Sequence, residues 1–66
     1  MNESTARPAV RLVNAWDIQP GMQIWSNRLG EILGTVIDAS SRSYTVLRPS
    51  GKVETTRDAR RAYVVI

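Results

Sequence analysis

Apolar residues along this chain come in short clusters separated by turn residues, a pattern of strands and tight turns. Val10, Leu12 and Val13 fit a short first strand. Asn14 to Gly21 reads as a turn ending in a Pro20-Gly21 corner, where proline fixes φ and glycine accepts a positive φ. Met22 to Trp25 follows as a second strand, and Ser26-Asn27-Arg28 as a polar turn. From Gly30 to Asp38 the sequence is GEILGTVID. A helix there would place Gly34 beside Thr35, Val36 and Ile37, all poor helix formers, so the segment is expected as a strand. Gly34 marks a bend or bulge. The bend accounts for a broken alternation, with Ile32 and Val36 on one face and Leu33 and Ile37 on the other.

The clearest local signal is a hairpin. Ser43–Arg48 and Lys52–Thr56 are strands joined by Pro49-Ser50-Gly51, with proline suited to a type I turn and glycine to the bulge after it. This loop sets a register in which Arg48 faces Lys52, Val46 faces Glu54 and Tyr44 faces Thr56. The other face pairs Leu47 with Val53 and Thr45 with Thr55. The Leu47–Val53 face is expected to point inward, because a one-residue change of parity would expose both. Arg57 to Arg61 is expected to form one short helical turn, and Ala62 to Ile66 a last strand that closes against the first. Residues 1–8 read as a flexible polar tail, and residues 9–66 as a single domain.

Five or six short antiparallel strands with closely spaced turns define an all-β fold, a closed or nearly closed barrel. The order resembles an SH3-like barrel. Ile18-Gln19-Pro20-Gly21-Met22-Gln23-Ile24 is similar to the opening of many such barrels, and Gly30–Asp38 with Gly34-Thr35-Val36 is similar to the glycine-centred strand of KOW-type modules. The resemblance spans residues 18–66. It implies a binding role towards RNA or protein, with no particular ligand.

Composition narrows the chemistry. The chain has 66 residues with no cysteine and no histidine. Nucleophilic triads, thiolate metal sites and most zinc sites are thereby excluded. Asp17, Asp38 and Asp58 read as turn or cap residues, and the four glycines are too scattered for a phosphate loop. No enzyme activity and no cofactor are expected. No apolar run approaches the ~20 residues that cross a bilayer, so the chain is expected to be cytoplasmic. Size and arginine bias give it the look of a small bacterial or phage protein.

Charge supplies the functional lead. Residues 1–38 carry three basic and four acidic side chains, whereas residues 39–66 carry six basic and two acidic ones. A basic half attracts nucleic acid or acidic protein surfaces. Arg48, Lys52, Arg57, Arg60 and Arg61 are the expected phosphate contacts, with Tyr44 on the Arg48 face as a base-stacking platform. The alternative is a protein-interaction module that uses an exposed Trp25 or the C-terminal strand as an edge. Trp16 is expected to cap one end of the barrel. A monomer or weak homodimer is expected.

Overall fold

The structure is a computed structural model and describes residues 8–66. The tail expected over residues 1–8 therefore lies outside the described residues, Pro8 apart. Six strands form: β1 (Val10–Asn14), β2 (Gln23–Ser26), β3 (Glu31–Ala39), β4 (Tyr44–Leu47), β5 (Val53–Thr56) and β6 (Arg61–Val65). They make one antiparallel sheet in the order β1-β6-β2-β3-β4-β5. The all-β expectation holds. Closure does not follow, because among the described residues β1 and β5 each have a strand neighbour on one side only. No helix among the described residues is long and apolar enough to cross a membrane.

The helical turn falls in a different place from the one expected. Residues 57–60 run as a loop, and a 3-10 turn forms at Ala15–Asp17, between β1 and β2. Asp58 takes a φ of 54°, the left-handed region, which a right-handed helical turn does not admit. The backbone N–H of Ala59 donates instead to the carbonyl of Arg42 at 2.8 Å, tying this loop to the β3–β4 turn.

The core gathers Ile18, Ile24, Val36, Tyr44, Val46, Ala62 and Val64, with Val13, Met22, Leu33, Ala39 and Ala59 packed around them. Bulges do break the alternation of β3, but they fall at Leu33 and Ile37 and not at Gly34, and they set Ile32 and Val36 on opposite faces, contrary to expectation. Its register shifts twice, against β2 between Gly34 and Ile32, and against β4 between Val36 and Asp38. The residues left over are Leu33 and Ile37, and each shift turns the following side chains to the other face. Between them, Gly34 passes so close to β4 that a Cβ would lie 2.5 Å from the Leu47 carbonyl oxygen.

The hairpin register is as expected at all four strand pairs. Its turn closes through Gly51 N–H to the Arg48 carbonyl at 2.8 Å, with Gly51 at φ 91°. The inward face, however, is the opposite one. Val46 and Tyr44 are buried, while Leu47 and Val53 are exposed. Two facts explain the reversal. Val46 pairs with Val36 on β3, and both are 1% exposed, so β4 is oriented by its inner neighbour. β5 lies at the sheet edge, where inward-facing Glu54 and Thr56 are only half-buried and keep access to water.

The opposite face of the sheet is not uniformly polar. Cross-strand partners share a face, and Leu12, Tyr63, Trp25 and Ile32 stand opposite one another along four adjacent strands. Trp25 is the covered member of this row, 8% exposed, and its indole N–H donates to Asn27 Oδ1 at 3.0 Å.

Candidate nucleic-acid interface

Three segments far apart in sequence meet at one end of the sheet. β1 runs beside β6 so that Asn14 stands opposite Arg61. Just beyond, the Ala15 N–H donates to the Arg60 carbonyl at 2.9 Å, fixing the 3-10 turn against the loop that precedes β6. The Ala59–Arg42 bond then draws in the β3–β4 turn. That turn is closed by Ser40 N–H donating to the Ser43 carbonyl at 2.8 Å, and its two serine hydroxyls are 2.7 Å apart. Ser41 and Arg42 are held out as its tip.

Between these segments lies a groove of about 720 Å³, lined by Asn14, Trp16, Ser41, Arg42, Asp58, Ala59, Arg60 and Arg61. Its charge is three guanidinium groups against one carboxylate. All three arginines are exposed, and none lies within salt-bridge distance of a carboxylate among the described residues. Trp16 is 66% exposed at the same groove. An indole left this open forgoes the burial that normally stabilises a tryptophan. The groove thus combines a flat aromatic surface with fixed positive charge, and its Asn14 and Ser41 side chains add neutral hydrogen-bonding groups.

The residues expected from sequence divide. Arg60 and Arg61 line the groove. Arg57 is exposed in the same loop but outside the lining. Arg48 and Lys52 belong to the far hairpin, apart from it. Arg48 is only 25% exposed, and its guanidinium donates to Glu54 Oε2 at 3.1 Å, with Nε buried and without a hydrogen-bond partner. It serves the hairpin, and is not an open cation. Lys52 is exposed. Tyr44, 7% exposed, belongs to the core and offers no ring face for stacking, a direct result of the reversed hairpin face.

Both features of the protein-interaction alternative are also corrected. Trp25 is buried and is not an exposed anchor. β6 is not an edge, since it pairs with β1 and with β2. Trp16 does not cap the core, because Ala15 and Ile18 on either side of it turn inward and leave the indole outside. Trp16, Arg42 and Asn14 were not legible as site residues, as their meeting depends on the two loop-to-loop backbone bonds. One available signal was the expected pairing of the last strand with the first, which sets Asn14 and Trp16 beside Arg60-Arg61. The chain matches no known protein family, no characterised protein and no solved structure.

Proposed function

We propose that this protein is a small non-catalytic binding module, of the SH3-like kind, whose basic groove holds a single strand of nucleic acid without reading its sequence. The observation that carries the reading is the exposed Trp16 in one groove with Arg42, Arg60 and Arg61. Sequence-tolerant single-strand binding needs these two elements together. Every base has a π-face that can stack on an aromatic side chain, and a cationic groove follows the phosphates whatever the base. Duplex is the poorer fit, since its bases are already stacked and cannot reach the indole. The non-catalytic part of the reading rests on the absence of histidine and cysteine.

Fluorescence anisotropy with a labelled single-stranded oligonucleotide, titrated over a range of salt, tests this. Single-strand binding loses roughly 0.7 of a log unit of affinity per log unit of salt for each neutralised phosphate. Three arginines therefore correspond to a slope of about −2. Replacing Arg60 and Arg61 with alanine should flatten it by about 1.4 and weaken all sequences alike. Trp16→Ala should weaken binding about tenfold or more at an unchanged slope, because stacking is worth ~1–3 kcal/mol per base. Failure of the wild type to bind at low salt, or equal binding by Trp16→Ala, would remove the reading.

A further inference from the structure

We propose that two copies of this chain associate through β5, edge to edge and antiparallel, about a twofold axis at Val53. This inference is independent of the groove. It starts from the ladder on the other side of β5. The Arg48 N–H donates to the Lys52 carbonyl at 2.7 Å, and Arg48, Val46 and Tyr44 stand opposite Lys52, Glu54 and Thr56. In an antiparallel ladder, backbone groups point alternately to one neighbour and to the other. Lys52, Glu54 and Thr56 turn theirs towards β4, so Val53 and Thr55 turn theirs away. No strand among the described residues pairs with that side. It is an unpaired edge, the kind that other chains add to.

The side chains select the occupant and the register. A twofold axis at Val53 sets Val53 opposite its own copy, the two exchanging N–H···O bonds in both directions. Val53 is 55% exposed and stands opposite Leu47, itself 42% exposed. The axis joins these two apolar residues to the same two in the copy, covering four side chains that water now reaches. One residue to either side, Lys52 of each copy falls opposite Glu54 of the other, in the closely spaced type of antiparallel pair. An axis at Glu54 would instead set two glutamates against each other.

A second copy also resolves an oddity within the chain. Lys52 stands opposite Arg48, a like-charge arrangement that costs stability. Among the described residues Lys52 has no carboxylate within salt-bridge distance, whereas Glu54 is engaged only by Arg48 and remains 37% exposed. In the dimer each Glu54 lies between its own Arg48 and the copy's Lys52, so each Lys52 gains a carboxylate on its free side. The interface is one short strand wide, so the association is weak.

Sedimentation velocity over a concentration series tests the proposal. The wild type should be half dimeric somewhere between about 10 µM and 1 mM, the range for an interface this small. Val53→Pro is the main variant. It removes only the outward N–H, which proline tolerates on an edge strand, so the monomer keeps its fold by circular dichroism. It should be monomeric throughout. Lys52→Glu should weaken the dimer about tenfold, and the double exchange Lys52→Glu with Glu54→Lys should restore it, since both cross-strand charge relations are then reversed together. A wild type that stays monomeric at about 1 mM overturns the proposal, as does a folded Val53→Pro protein that still dimerises. A folded double exchange that fails to recover overturns the Val53 register.

Discussion

Replacing Gly34 with alanine adds one methyl group where β3 passes close to the backbone of β4. A Cβ there would lie 2.5 Å from the Leu47 carbonyl oxygen and 2.9 Å from its carbon, where ordinary contact begins at 3.4 Å. The shortfall of about 0.9 Å cannot be relieved by a rotamer change, since the obstacle is the backbone of β4. β3 and β4 must separate, loosening the Thr35–Leu47 and Val36–Val46 pairs that orient the core face of β4. Overpacking of this kind costs about 1–3 kcal/mol, occasionally more. Reduced freedom of the unfolded chain returns only about 0.4–1 kcal/mol. A core of this size rarely supplies more than ~3–5 kcal/mol in total. Each kcal/mol lowers the melting temperature of so small a domain by about 4–8 °C. Thermal melts followed by circular dichroism should therefore show Gly34→Ala melting below the wild type by up to roughly 20 °C, and Gly34→Val lower still despite valine's strand propensity. Gly21→Ala is the control. Gly21 has a φ of 97° and open space around it, so alanine there meets backbone strain without a clash, at about 1–2 kcal/mol. A Gly34→Ala melt at or above the wild type would refute the close approach of β3 and β4.

Further outcomes follow from the same geometry. Trp16→Ala should leave stability within about 0.5 kcal/mol of the wild type, as expected for an exposed site, whereas Trp25→Ala should cost about 3–5 kcal/mol and leave much of the protein unfolded at room temperature. Chemical denaturation of the two variants side by side checks this. Arg48→Ala should destabilise by about 1 kcal/mol, through lost packing of its stem and the loss of its bond to Glu54, both partly exposed; Lys52→Ala should be neutral or slightly stabilising in the monomer, measured by urea titration at low protein concentration. Tyr44→Phe should bind single strands as the wild type does in the anisotropy assay, since the ring is buried and does not line the groove.

Strand positions and the hairpin register were legible because each rested on local chemistry. Pro49-Ser50-Gly51 admits few backbone paths, and Gly34 cannot be mistaken for a helix residue among β-branched neighbours. The inward face of the hairpin was not legible for an equally physical reason. β4 reads Tyr-Thr-Val-Leu, with an apolar residue on both parities, and β5 places its single large apolar residue, Val53, outward. The choice between faces is made by Val36 across the sheet, a contact the hairpin sequence does not contain. The same limit hid the groove. Nothing near Arg42 marks it as a partner of Trp16, and only the Ala59–Arg42 and Ala15–Arg60 bonds bring the two turns together.

The fate of the basic residues follows from that topology. By composition the second half of the chain is one cationic block, but the sheet divides it. Arg48, facing the core side beside Glu54, is held within the hairpin. Lys52 stands at the β5 edge, where an anion must come from outside the strand pair. Arg42, Arg60 and Arg61 collect at the opposite reach of the sheet, because β6 enters beside β1 while the turn after β3 folds onto the loop before β6. Net charge alone would assign all six cations to one partner. Their placement separates an internal ion pair, an edge that suits a second copy and a groove that suits a phosphate chain. Salt should therefore act on the two associations differently. Binding in the groove should fall steeply with added salt as counterions are released. The β5 dimer, held by backbone bonds and four apolar side chains with only two ion pairs, should weaken far less. Measuring sedimentation and anisotropy across one salt series tells them apart. Equal salt dependence of the two would show that the same arginines serve both, and would refute the division.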